Sequence, residues 1–253
     1  MNKFLIVVFL SFITIICYAQ DNAEFSADRP GVTTSPDIMP KYKLMWETGL
    51  AYENDRTEET SVKTLNYHNS LFRLGLSDYA ELRFGFAANH TYLKNEDSYG
   101  GISSLLVGTK MKIFDGYNVI PQISFLGELL LPGKSGSNYL PPHIGVNLHL
   151  AFSNDITSWF SVGYDAGLIW SGMPEEEHAS TFLSINCNFK PTERLGLYVE
   201  ECNFLNQKNL YVVEMGGTFM VSSRIQLDAY ADVNLKHLGD YINIGLGVAW
   251  LIY

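Results

Sequence analysis

The chain has 253 residues, with 17 Lys and Arg against 27 Asp and Glu and a formal net charge of −10. An acidic balance with no basic block excludes nucleic acid as a partner, because phosphate binding needs clustered Lys and Arg. The three cysteines form no CxxC or His-spaced pair, and no Gly-rich phosphate loop follows a strand, so neither a metal site nor a cofactor is expected.

Residues 1–19 start Met1-Asn2-Lys3 and continue "FLIVVFLSFITIICYA", a short positive start, an apolar run and a small-residue exit at Ala19, the layout of a secretory signal peptide. The run is short for a bilayer helix and has no basic flank after Ala19-Gln20-Asp21. Lipoprotein processing at Cys17 needs a small residue before it, and Ile16 stands there. Removal of the leader leaves 253 − 19 = 234 residues and, with Lys3 gone, a charge of 16 − 27 = −11. Residues 20–42 follow as a polar, turn-rich stretch whose Pro30, Pro36 and Pro40 keep it from being a central strand. It is read as a periplasmic N-terminal segment, and residues 43–253 as one domain.

From residue 43 the period is two. In "HIGVNLHLAFSND", Ile144, Val146, Leu148, Leu150 and Phe152 share one face and Gly145, Asn147, His149, Ala151 and Ser153 the other. "AELRFGFAANH" and "RIQLDAYADVNLK" alternate in the same way. The rule places strands near 43–53, 65–76, 80–90, 102–113, 118–131, 142–153, 157–170, 180–190, 194–205, 208–221, 224–235 and 241–253. Tight turns at 77–79, 115–117, 154–156, 191–193 and 222–223 alternate with longer polar loops, as in outer-membrane barrels, where the short turns are periplasmic.

A soluble β-sandwich also alternates, but its strands are usually about five or six residues, whereas these run about ten to thirteen, enough for a tilted bilayer crossing. The 13% aromatic content suits girdles at two membrane interfaces. The reading is all-β: a transmembrane antiparallel up-and-down β-barrel of about 12 strands, set in the lipid of the outer membrane of a Gram-negative bacterium. "YINIGLGVAWLIY" ends the chain on an alternating strand with Trp250 and Tyr253, which resembles the closing signal read by the barrel-assembly machinery.

A Lys or Arg facing lipid at mid-depth costs about 2–4 kcal/mol, so strand charges belong inside. Glu47, Arg73, Glu81, Arg83, Lys110, Lys112, Glu128, Asp165, Glu200, Glu214, Asp228 and Asp232 all fall on wet faces. Glu47, Arg73, Glu81, Arg83, Lys110 and Lys112 come out at a similar height on four consecutive strands, with Arg73 opposite Glu81 in the ladder. This mixed-sign belt reads either as a structural salt-bridge network or as a selectivity constriction that gates small solutes. Twelve strands lie between the eight that side chains can fill and the sixteen to eighteen that leave an open channel.

Asp28-Arg29-Pro30, Thr33-Thr34-Ser35-Pro36, Pro40-Lys41, Leu44 and Glu47-Thr48-Gly49 together resemble the N-terminal signature of the outer-membrane transporter-like family named for the meta-pathway of phenol degradation. Where that family has glycine before the first strand, this chain has Tyr42. The resemblance implies a transporter of small molecules, with aromatic or hydrophobic ones as candidates. Asp28 and Arg29 then form either a latch, with Arg29 paired to a lumen carboxylate such as Glu47, or part of a tether that orders the first strand.

An enzyme of the outer membrane is the alternative. His68 and Ser70 share a face of the second strand and resemble the His-x-Ser of lipid A deacylases, a base beside a hydroxyl as acyl transfer requires. No acid that would orient the histidine is evident on that face, since Glu47 and Glu81 point the other way. His90, His143, His178 and His237 fall in or beside loops, His149 reads as a hydrogen-bonded lumen histidine, and "PEEEH" at 174–178 reads as a solvated charge run. No catalytic residue is therefore assigned. A structural barrel without transport completes the alternatives, and replacing Ser70 separates the enzyme from the other two.

Overall fold

The computed structural model describes residues 25–56, 61–94, 97–133, 140–174, 178–205, 210–235 and 239–253. The expected leader, His237 and the run Glu175–Glu177 lie outside them. Twelve strands account for most of the rest: β1 (Leu44–Arg56), β2 (Ser61–Ser77), β3 (Ala80–Leu93), β4 (Tyr99–Tyr117), β5 (Ile120–Leu130), β6 (Gly145–Thr157), β7 (Phe160–Trp170), β8 (Ser180–Phe189), β9 (Leu195–Leu205), β10 (Leu210–Ser222), β11 (Ile225–Asn234) and β12 (Tyr241–Leu251). Each pairs antiparallel with its chain neighbours, and β12 closes on β1 over eleven partners from Met45↔Leu251 to Asp55↔Tyr241. Closure satisfies the backbone of every strand and leaves no edge.

Polarity is inverted relative to a soluble protein. Leu50, Phe84, Ile113, Leu168, Val221 and Leu246 are exposed on the outer surface, while Glu47, Arg73, Glu81, Lys110, Glu200 and Glu214 are buried. Alternation makes both facts one: period two sends every second residue outward, and an apolar outward band with a polar lumen is the solution a bilayer selects. Exposed aromatics mark the end of the barrel that carries the short turns, with Tyr42, Tyr79, Tyr117 and Tyr253 there and Trp159 beside Phe160 and Phe189, ring centroids 5.0–6.5 Å apart. Tyr52, Tyr67 and Tyr92 are exposed toward the opposite, loop end.

The first four strands are longer than the alternation indicates, reaching 17 residues in β2 and 19 in β4. The ladder continues past the apolar band: Lys63 stands outward beside Tyr92, and on the inner face Thr64 Oγ1 and Thr91 Oγ1 lie 3.2 Å apart. With both faces wet, hydrophobic period carries no information about these ends. Two turns also move. Asp115–Tyr117 and Asn154–Ile156 lie within strands, and the hairpins close on Tyr117↔Ile120 and Thr157↔Phe160.

Tyr42 enters β1 with φ of 65°, the left-handed region, donating its N–H to the Gly75 carbonyl at 2.8 Å. That is why glycine suits this position, since a left-handed conformation costs a residue with a Cβ about 1–2 kcal/mol. Tyr42→Gly is expected to raise the temperature at which the folded barrel loses its heat-modifiable gel migration.

Candidate functional site

Residues 25–40 run through the lumen before the chain turns at the mouth and enters β1. Their prolines deny them a place in the sheet, so their backbone groups have to find partners on the barrel wall. The wall supplies carboxylates and hydroxyls in sequence around the circumference. Glu47 of β1 accepts from the N–H groups of Asp28 and Arg29 at 3.1 and 3.2 Å. Glu200 of β9 accepts from Val32 and Thr33 at 2.5 and 3.0 Å, and Asp165 of β7 from Thr34 at 3.1 Å. Ser124 of β5 donates to the Pro36 carbonyl, and Glu81 of β3 accepts from the Met39 N–H at 2.6 Å. Ser26 Oγ donates to Asp37 at 2.8 Å and draws the two ends of this circuit together. Met39 and Phe25 pack with Met45, Ala249 and Leu251 in an apolar seat at the turn end.

Five of the six expected belt residues meet in one cluster. Arg73 binds Glu81 at 2.9 Å and Glu47 at 3.1 Å, and Arg83 binds Glu81 and Glu128, each at 2.9 Å. Asp28 enters from the segment and touches all three cations: Arg83 at 2.5 Å, Lys110 at 2.8 Å and Arg73 at 3.4 Å. Lys110 Nζ donates also to the carbonyls of Ser35 and Asp37, at 2.9 and 3.0 Å. Two expectations need correction. Lys112 stays outside the cluster and pairs with Asp115 at 2.8 Å near the turn-end mouth, because two residues along a strand displace it by about 7 Å. Arg73 stands opposite Arg83, and Gly75 opposite Glu81, because the hairpin closes on Ser77↔Ala80 with only Asp78 and Tyr79 in the turn and a bulge between Gly75 and Ser77 then shifts the ladder by one; the Arg73–Glu81 pair forms diagonally.

Arg29 does pair with a lumen carboxylate, but that carboxylate is not Glu47. The backbone of Arg29 meets Glu47, but its guanidinium turns to Asp228 of β11, with Nη2 and Nε at 3.0 and 3.2 Å. Asp228, Gly247 and Gly49 lie in one row across β11, β12 and β1. A Cβ on Gly247 would stand 2.5 Å from Arg29 Cζ and one on Gly49 2.7 Å, so the two glycines form a slot against which the planar group lies flat. Gln226 fixes the Arg29 carbonyl at 3.0 Å.

Two chambers flank the segment. One, of about 670 Å³, opens at the turn end and is lined by Lys112, Asp115, Gln122, Asp155 and Lys190 together with the segment. The other, of about 290 Å³, lies toward the loop end with Arg29, Pro30, Gly31 and Val32 as its floor.

The remaining candidates fall elsewhere. His68 Nε2 and Ser70 Oγ are 3.0 Å apart on the outward face, where Ser70 also accepts from Trp46 Nε1 at 3.0 Å and donates to Thr48 at 3.1 Å. Only 1% of Ser70 is exposed, beside the stacked rings of Trp46 and Phe72, so an acyl chain has no path to the hydroxyl. His149 is hydrogen-bonded to Asp165 at 2.9 Å, and His90 sits within β3 against Tyr92. Among the described residues no group of three or more His, Cys, Asp or Glu is placed to hold a metal ion. Sequence reasoning missed the seat itself: Ser124, Gln226, Gly49 and Gly247. The glycines facing the lumen on neighbouring strands were the available signal, since strand glycine marks close approach of another group.

Residues 27–252 match the family described as "Putative MetA-pathway of phenol degradation". The chain belongs to this family. The match opens at Ala27 and so takes in the lumen segment as well as the barrel. No curated protein has a sequence that matches it. Among solved structures, an outer membrane channel from Pseudomonas putida F1 is similar in fold, with a TM-score of 0.69 at 10% identity, over 88% of this chain and 99% of that one. The NanC porin aligns with a TM-score of 0.52 at 7% identity, over 82% of this chain and 100% of that one. The translocator domain of the autotransporter NalP from Neisseria meningitidis aligns with 0.50 at 9%, over 82% and 87%. At these identities the likeness is one of fold: an outer-membrane β-barrel.

Burial opposes ionisation of Asp28, but Arg73, Lys110 and Arg83 outweigh it and hold the carboxyl well below the usual carboxylate range. A depressed pKa means that the contribution of Asp28 is complete above the ordinary value of 3.8 and is lost only as pH falls through the lower, folded-state value. Acidification from pH 7.5 to pH 4 is therefore expected to leave Asp28 engaged. Protease protection of the segment at the two pH values checks this; cleavage appearing at pH 4 contradicts it.

Proposed function

We propose that this protein is a channel of the Gram-negative outer membrane for the passive passage of small molecules, with residues 25–40 as a plug held by Asp28 and Arg29. The short turns and the plug lie on the periplasmic side, the long loops outside. One observation carries the reading: what divides the two chambers is a segment that leads into β1 and is seated mainly through polar contacts, with one apolar seat at Met39. Bulky side chains packed across a barrel would make a permanent core, whereas a seated segment is a removable obstruction. The charged belt then has two tasks, binding the plug when the channel is closed and lining the path when it is open.

The likeness to channels and porins and the sealed position of Ser70 both favour transport over lipid hydrolysis. Family membership favours aromatic or hydrophobic solutes, while the polar lining favours solutes that carry a polar group. Outer-membrane lipid covers the apolar band, and the exposed terminal Tyr253 is available to the assembly machinery. Conductance of the purified protein in a planar bilayer, paired with heat-modifiable migration to verify folding, tests the channel. Discrete steps are expected from the folded barrel, rare and brief while the plug is seated. A folded barrel that stays silent with the plug both present and removed contradicts the proposal.

A further inference from the structure

We infer that the loop-end chamber is a binding site for an organic ammonium ion carrying a single aromatic or apolar group, the solute class that the channel admits from outside. The inference rests on the channel reading and narrows it to one chemistry.

The lining of the chamber has two unlike parts. In one, Glu214 of β10 and Asp232 of β11 face each other in register, both at least 96% buried. Two carboxylates side by side repel unless a cation or a shared proton lies between them. Glu214 accepts from the Tyr198 hydroxyl, and Asp232 Oδ2 accepts from Asn243 at 2.8 Å. Asp232 Oδ1 is buried with no hydrogen-bond partner among the described residues, a costly state for a carboxylate oxygen that either a proton shared with Glu214 or a donor supplied from outside would relieve. Arg29, the cation among the lining residues, does not fill that role, since its guanidinium is committed to Asp228.

Beside this pair, one step along the same face of β10, the lining turns apolar: Cys202 and Val212, buried in one cluster with Phe182, have Phe204 and Tyr241 packed against them, and Phe182 and Phe204 lie 5.1 Å apart. Tyr230 joins the two parts. Its ring lies over Gly245, where a Cβ would come 2.6 Å from the hydroxyl oxygen, so β12 is cleared to let the ring lie along it. Aromatic faces beside a carboxylate pair bind ammonium groups by cation–π attraction as well as charge. The volume of about 290 Å³ lies at the small end of ligand cavities and fits one ring with a short arm. A neutral phenol satisfies the apolar part but leaves Asp232 Oδ1 without an ionic partner.

Isothermal titration of the folded protein in detergent micelles with phenethylammonium chloride and with 2-phenylethanol, its neutral counterpart, tests the inference. The ammonium ion is expected to bind at least about tenfold more tightly. Asp232→Asn should bring the two affinities together, and Glu214→Gln is the second variant should the first fail to fold. Asp115→Asn, at the other mouth, should leave the ratio unchanged. Equal affinities in the unaltered protein, as a proton shared between the carboxylates would produce, overturn the inference, as does a preference that survives both variants. Conductance of the same preparation separates the two readings. Ammonium preference in a silent barrel removes the channel and keeps the site, and conductance without preference does the reverse.

Discussion

Replacing Asp28 and Arg29 together by alanine should turn rare openings into sustained ones, raising the mean conductance of the reconstituted protein many-fold while the barrel still folds. The size follows from what the two side chains hold. Asp28 is bonded to Arg73, Arg83 and Lys110, and Arg29 to Asp228 through two nitrogens. Breaking a buried ion pair by removing one partner costs about 3–5 kcal/mol. A loss of about 3 kcal/mol from the seated state alone moves the seated-to-free ratio by about 100-fold. Little of the loss falls on the barrel. Without Asp28 the cluster retains Glu47, Glu81 and Glu128 against Arg73, Arg83 and Lys110, three charges of each sign, and a vacated lumen lets water reach Lys110. Lys112→Ala is the matched control, because Lys112 pairs with Asp115 outside the cluster, and it should leave conductance as it was. An unchanged conductance in the double variant, with normal assembly, would reduce the segment to a tether for β1.

Gly247→Val should open the channel without removing any charge. A branched side chain is favourable to a strand, so β12 itself gains. Its Cβ, however, takes the place against which the Arg29 guanidinium lies, and Gly49 on the neighbouring strand already limits the room on the other side. Arg29 has to lift away from the wall, which breaks the two-nitrogen contact with Asp228 and leaves that carboxylate buried and unpaired. The expected result is the conductance of Arg29→Ala together with unimpaired heat-modifiable migration. Gly127→Val, on β5, provides the contrast: a Cβ there meets only ordinary van der Waals neighbours, Phe125 and Leu148 at 3.4–3.8 Å and no atom of the segment, so conductance should not change. Should Gly247→Val conduct no more than the unaltered protein, the slot is not what holds the segment.

The barrel was legible because a membrane allows few alternatives: outward residues had to be apolar, so alternation gave all twelve strands and the inward direction of the twelve strand charges. It failed where its cause failed. Past the apolar band, at Lys63 and Thr64 for example, the ladder persists with both faces wet, and nothing in the residue pattern separates strand from loop. Heights within the lumen were harder, since a turn of only two residues, closed on Ser77↔Ala80 with one bulge behind it, puts Arg73 opposite Arg83 and not opposite Glu81. Asp28-Arg29 stood out as a charged pair in a proline-bounded segment, but its partners depend on the path of an irregular backbone. Glu47 spends its two oxygens on the N–H groups of that backbone and on Arg73, so the Arg29 side chain is left to find Asp228 on the far side of the β1–β12 seam. No local pattern encodes that choice.

The part of the segment that lies in the lumen, residues 25–40, carries one arginine against two aspartates, Asp28 and Asp37, and so has almost no net charge. An applied voltage acts on such a body weakly: one elementary charge carried across the whole membrane yields about 2.3 kcal/mol per 100 mV, less than one of the buried pairs that hold it. Opening of this barrel should therefore answer to what binds inside it and hardly at all to membrane potential, and the sign of its small response is fixed, with a positive potential on the turn side drawing the segment out.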